Sequence, residues 1–202
     1  MRKLTTISFS LVVSLLLIGC GGSGTGNKNA TANDENGTAS NIPYLKANHA
    51  NYTEHGTTQI PAPVKDATTK SISWTITATT EESASKLAEH INYMDAKLQE
   101  GKNPRAFDKL FLMEAYMKFN KYYTTSVERS ATNVVVSKKA NTDCAYEVIS
   151  AHSDVVNGDF FARGDTSKDY SNIAEGILAS QACESVRVEV TNYISERQKD
   201  RK

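Results

Sequence analysis

A chain of 202 residues is long enough for one ordinary domain and too short for two comfortable ones. Its 23 basic and 23 acidic side chains cancel, with no basic block and no basic surface-seeking helix, which argues against nucleic acid as a partner.

The first element in chain order is an apolar run, Ile7 to Ile18, broken only by serines and preceded by Arg2 and Lys3. A helix needs about 20 apolar residues to cross a bilayer, so the run is too short for a permanent span. A basic start, a short apolar middle and a small residue at the end are the parts of a secretory signal. Leu17-Ile18-Gly19-Cys20 resembles the lipobox of bacterial lipoproteins, with Leu three before the cysteine and a small residue directly before it. That resemblance implies diacylglycerol on the Cys20 thiol, cleavage between Gly19 and Cys20, and a membrane-anchored place in the cell envelope. A plain secretory signal is the alternative. Two or more acyl chains hold a protein firmly on a membrane, where one is marginal. In the Gram-negative pattern, Gly21 in place of an aspartate implies the outer membrane, facing the periplasm or the cell surface. Loss of residues 1–19 removes Arg2 and Lys3 and no acid, leaving 21 basic against 23 acidic residues.

If Cys20 carries lipid, Cys144 and Cys183 remain, and an exported compartment is oxidising. They then have one possible intramolecular pairing, and a disulfide between them is expected. From Cys20 to about residue 58 the chain is rich in Gly, Asn, Thr and Ser, with too few apolar residues to build a core. It reads as a flexible tether reaching roughly 35 Å, whose last third could dock through Tyr44 and Leu45. Within it, Asp34-Glu35-Asn36-Gly37-Thr38 resembles the acceptor of bacterial N-glycosylation and implies Asn36 as a glycan site; a chance match in an Asn-rich linker is the alternative.

The folded domain is expected over 59–202. Ile60-Pro61-Ala62-Pro63 is extended. Residues 70–77 alternate as a half-buried strand with Ile72, Trp74 and Ile76 inward. Thr79 and Glu82 form a capping box for a helix to about Glu100, ended by Gly101. Asn103-Pro104 reads as the start of a second helix, apolar around most of its circumference and therefore central. Thr124 to Ser137 reads as a hairpin turning near Ser130 to Asn133, with Val134 to Val136 as a buried strand. From Thr142 a helical face runs to Val156 and stops at Gly158, with strand as the rival over Cys144 to Ile149. A loop precedes a helix carrying Tyr170, Ile173, Ala174 and Ile177. Residues 184–196 fit strand and helix equally. The fold class is α+β: a helix-rich single domain of three to five helices, a small antiparallel sheet and one disulfide.

Few constellations carry chemistry. His152 with Asp154, Asp159, Asp165 and Asp169 is the densest polar cluster, a candidate for a divalent metal or for acid–base work. Its spacing matches neither a zinc motif nor an EF-hand loop, and His152 lies on the apolar face of its helix, so a structural histidine is the competing reading. Arg163-Gly164-Asp165 resembles integrin-binding loops, but is equally ordinary turn chemistry. Phe160 and Phe161 beside it are candidates for a partner anchor or for core packing. No serine lies in Gly-x-Ser-x-Gly or in a Ser-x-x-Lys with a supporting triad, and no glycine-rich phosphate loop follows a strand, so no cofactor is implied. Three functions remain open: a non-enzymatic envelope lipoprotein acting through a protein partner or envelope structure, a metal-dependent or hydrolytic enzyme centred on His152, and a small-ligand or glycan-binding module using Trp74 and the Phe160-Phe161 loop.

Overall fold

The structure is a computed structural model that describes residues 40–199; Cys20 and Asn36 lie outside them. Strand β3 (Ser71–Ala78) is the centre of the sheet. It pairs with β5 (Asn133–Ala140) on one side, and β5 pairs with β4 (Tyr123–Ser130). On its other side β3 pairs with two short strands in turn, β2 (Val64–Asp66) and β1 (Tyr52–Glu54), and every pairing is antiparallel. Alternation decides the faces: Ile72, Trp74, Ile76 and Ala78 of β3 and Val134, Val136, Lys138 and Ala140 of β5 are buried. Ser71, Ser73, Thr75 and Thr77 point the other way. The β4–β5 hairpin turns through Ala131, at φ 45°, and Thr132.

Helices cover the apolar face in a second layer, giving an α+β domain. The short α1 (Ile42–Ala47) precedes the sheet; α2 (Glu81–Gln99) and α4 (Asp143–Val155) pack on it. Between them lies α3 (Lys109–Phe119), which also meets α5 (Ser171–Ala179) and α6 (Arg187–Lys199). As its apolar circumference predicts, α3 is central: eight of its side chains, from Leu110 to Lys118, are buried. None of the helices among the described residues is long and apolar enough to cross a membrane.

Several local expectations are corrected by packing. Residues 40–54 belong to the folded unit, with docking that includes Leu45 of the pair left open in the sequence and extends to Tyr52: both are fully buried. Ser83 on α2 fastens this stretch, meeting the Tyr44 hydroxyl at 3.0 Å and Asn51 at 3.2 Å, while its carbonyl accepts from Tyr52 Oη at 3.0 Å. The cap of α2 is Thr80 rather than Thr79: the Thr80 hydroxyl oxygen accepts from the Ser83 N–H at 3.1 Å, while Thr79 donates its N–H to the Asn51 carbonyl. The second helix begins at Lys109, not at Pro104. Asn103 instead closes a turn by accepting from the Arg105 N–H at 2.9 Å, and buried Asp108 caps α3 by accepting from the Leu110 N–H at 2.9 Å. Thr142 caps a helix, which settles Cys144 to Ile149 as α4. Residues 187–199 are helical, since Val190 and Ile194, four apart, are the buried pair, while Val188 is 71% exposed.

Gly158 does not stop α4. The chain continues as a π-helix over Val156–Phe161 before it leaves the helical path. The disulfide joins Cys144 in the first turn of α4 to Cys183 in the short turn before α6, with Cα atoms 4.7 Å apart. A bridge closing a loop of this length constrains the unfolded chain by about 4 kcal/mol.

Candidate functional site

Between the sheet and the helices lies a cavity of about 180 Å³. Its walls come from the inward face of β3, β5 and β4, from α2 and α3, and from the α4–π-helix junction. The π-helix shapes one wall. Its wider turn brings residues five apart onto one face, so Val155 and Val156 line the cavity together with Phe160 and Phe161. Phe160 and Phe161 meet edge to face at 5.0 Å, and Phe161 also meets Tyr52 at 6.0 Å. Trp74 lies opposite them in sequence terms, on the central strand, and lines the same space. Three aromatics and a histidine singled out in the sequence, Trp74, Phe160, Phe161 and His152, therefore share one cavity.

Its polar corner is a closed network around Glu114, which α3 projects toward the sheet and which is 1% exposed. Lys138 donates to Glu114 Oε1 at 2.5 Å, and the Tyr123 hydroxyl donates to the same oxygen at 3.3 Å. His152 Nε2 stands 3.3 Å from Glu114 Oε2, and its Nδ1 stands 3.4 Å from Lys138 Nζ. Burial pushes the His152 pKa down to about 4; Lys138, Arg105 and His90 push the same way and Glu114 opposes them. The ring is thus neutral at pH 7, and the network assigns its tautomer: Nε2–H donates to Glu114 and Nδ1 accepts from Lys138. Burial also raises Glu114, but His152 and Lys138 outweigh it and hold the carboxyl below its ordinary 4.5. Tyr123 is raised well above 10 by burial and stays protonated. One helical turn beyond Glu114, Lys118 meets Asp95 at 2.5 Å and donates to Thr125 Oγ1 at 3.1 Å. On α2, His90 Nδ1 lies 2.5 Å from the Ser40 carbonyl, and burial takes its pKa down to about 4.

The aspartates grouped with His152 in the sequence have other partners. Asp154 pairs with Lys65 at 2.5 Å. Asp159 takes Arg163, Lys168 at 2.6 Å and the Tyr170 hydroxyl at 2.5 Å. Asp165 lines the cavity while accepting from the N–H and hydroxyl of Ser167, at 2.8 and 2.7 Å. Asp169 accepts likewise from Ser171. Among the described residues no group of three or more His, Cys, Asp or Glu is placed to hold a metal ion. The Arg163-Gly164-Asp165 turn is packed down: Gly164 has φ +63°, and a Cβ there would lie 2.7 Å from His49 Cδ2 and 3.0 Å from the Lys46 carbonyl. Arg105 holds the following residues against α3 by donating to the carbonyls of Thr166 and Lys168 while lying 4.4 Å over the Phe111 ring.

The network's central members were not singled out from the sequence, although each left a trace. Glu114 is an acid inside the apolar run "LFLMEAYMKF", and Lys138 has the same strand parity as Val134, Val136 and Ala140. An ion inward on both elements signals a buried pair.

Fold and cavity together define a helix-covered antiparallel sheet with a half-open, aromatic-walled cavity that has one charge-neutral polar corner. Comparison with protein-family models, with curated proteins and with solved structures found no match.

Proposed function

We propose that the protein is a lipid-anchored lipoprotein of the bacterial envelope whose domain holds a small, largely apolar molecule between the sheet and α2 to α4. The observation that carries this is the cavity itself: about 180 Å³, walled mainly by apolar and aromatic side chains, with few polar groups. Protein interiors are close-packed, and ligand sites are the usual exception to that density. A hydrolytic role for His152 is the weaker reading, because both its ring nitrogens are engaged by Glu114 and Lys138. The protein-partner role is likewise less supported, since it rests on scattered exposed side chains such as Val64 and Phe119.

Trp74 is the chain's single tryptophan and a wall residue, so its emission reports on the cavity. Titrating the mature chain carrying Cys20→Ser, purified without detergent, with toluene is expected to give a saturable change in that emission. Val136→Phe, which fills part of the space, should abolish it. An emission that responds only linearly, as to a change of solvent, would overturn the reading. The address is supported by Leu17-Ile18-Gly19-Cys20. Cells given a palmitate analogue should label the protein, and Cys20→Ser should remove the label entirely; labelling that survives the substitution rules the anchor out.

A further inference from the structure

We propose that the cavity is an acyl trough, which takes the hydrocarbon tail of a single-chain amphiphile drawn from the membrane. This rests on the reading of a lipid-anchored chain with a ligand cavity and names what fills it. Shape comes first. The wall residues of α2 are Leu87, His90, Ile91, Met94, Asp95 and Leu98, which recur at helical spacing on one face. From Leu87 to Leu98 that face runs three turns, about 16 Å at 1.5 Å per residue. Facing it, the wall crosses three neighbouring strands: Trp74 and Ile76 of β3, Val136 and Lys138 of β5, and Tyr123 and Thr125 of β4. The half-open space is thus a trough under α2 rather than a compact void. An extended chain of about twelve carbons, joined by bonds of about 1.5 Å, is of similar length.

Charge comes next. The ionised pairs of the wall are closed inside the protein: Glu114 has Lys138, and Asp95 has Lys118. Asp165 is satisfied by Ser167. The trough therefore offers a head group no unspent opposite charge, so the head stays in water while the methylenes gain by burial. Position names the source. The described chain begins at this wall: the Ser40 carbonyl lies 2.5 Å from His90 Nδ1, and Ile42 is itself a wall residue. The segment read as the lipid-bearing tether thus joins the domain at the trough. Residues 21–39, which separate Ser40 from Cys20, span at most about 65 Å whatever their path. They carry no apolar side chain larger than alanine, so they do not supply the occupant themselves. Among the lipids of that surface, a molecule with one acyl chain is held only marginally and can leave, whereas a two- or three-chain anchor on Cys20 stays in the bilayer.

The test is calorimetric titration of the mature chain carrying Cys20→Ser with hexanol, octanol and decanol. Affinity is expected to rise about fourfold per added methylene, on the order of 100-fold from hexanol to decanol. Decanoate and decyltrimethylammonium should bind within about tenfold of decanol, since their heads stay in water. Ile91→Trp blocks the middle of the trough and should cancel most of the gain from hexanol to decanol. A gain that ends at octanol, or a charged head that weakens binding ~100-fold, would overturn the inference, and saturable toluene binding beside either result leaves the cavity a ligand site. If toluene and the alkanols all fail to bind, the cavity reading itself falls. The source is read in the lipidated chain on phosphatidylcholine vesicles, titrated with 11-bromoundecanol, whose bromine quenches indole emission on contact. Quenching of Trp74 as complete as in the Cys20→Ser chain is expected. A lipidated chain that escapes quenching would mean that its own acyl group fills the trough, and would overturn a free amphiphile as the occupant. The length series in the unsubstituted trough decides the matter even if Ile91→Trp does not fold.

Discussion

Acidification from neutral to about pH 4 is expected to remove on the order of 6 kcal/mol of folding stability, through two histidines held neutral inside the domain. His90 and His152 both have folded pKa values of about 4 against an ordinary 6.5, with burial the leading cause in each. Between those values the unfolded chain binds a proton that the folded chain refuses. Stability is therefore flat above about pH 7.5 and falls as the pH drops through 6.5 toward 4. Each ring accounts for roughly 3 kcal/mol by pH 4, at about 1.4 kcal/mol per pH unit of displacement. The cavity leaves His152's side chain 15% exposed, which makes that figure an upper value. Glu114 acts in the same direction lower down: its depressed pKa contributes stability above the ordinary carboxyl range that is lost as the pH falls below it. Urea denaturation at a series of pH values reads this directly. His152→Gln keeps a donor and an acceptor without titrating and should flatten the slope by about half. A wild-type stability that does not change between pH 7 and pH 4.5 would contradict the neutral assignment of both rings.

The second large effect is at Glu114. Replacing it with leucine is expected to cost about 3–5 kcal/mol, because it strands the Lys138 ammonium in the interior. Lys138 is 8% exposed and would retain the His152 nitrogen at 3.4 Å and the Tyr123 ring at 5.6 Å, neither of them a counter-charge. Removing both charges should cost far less, since two apolar groups of similar volume leave nothing unpaired. The variant Glu114→Leu with Lys138→Met is expected to recover most of the loss, and denaturant midpoints of the two single and the double variant give the coupling. A double variant no more stable than Glu114→Leu would mean that the glutamate acts through shape rather than charge.

Glu114 and Lys138 also mark the limit of local reading. They are 24 residues apart and neither stands in a motif. Each was visible only as a polar residue at an apolar position, and nothing in the local pattern says which two such residues meet. The aspartates near His152 illustrate the converse. They crowd together in the sequence, yet Asp154 turns to Lys65 on β2, and Asp159 to Arg163, Lys168 and Tyr170 of its own stretch, because an opposite charge or a hydroxyl donor decides the partner rather than nearness to His152. The two starts misplaced in the sequence, at α2 and α3, have the same origin. A cap is chosen by which side-chain oxygen reaches the free N–H groups of the first turn, and the tertiary path of the chain brings Thr80 to Ser83 and Asp108 to Leu110.

By itself the sequence determined the quantities that depend on composition and short period: one α+β domain, the inward set Ile72, Trp74 and Ile76, the central character of α3, the hairpin at Ala131, and the pairing of Cys144 with Cys183. These follow from alternation and helical spacing, both local, and, for the disulfide, from reading Cys20 as the lipid site, which leaves two thiols. Only the tertiary structure decided that residues 40–54 fold onto α2 and that the helix runs past Gly158 as a π-turn. It also decided that Trp74, Phe160, Phe161 and His152 wall one cavity. Those outcomes depend on which surfaces remain to be covered once sheet and helices have met, and that competition is settled by packing across the whole domain.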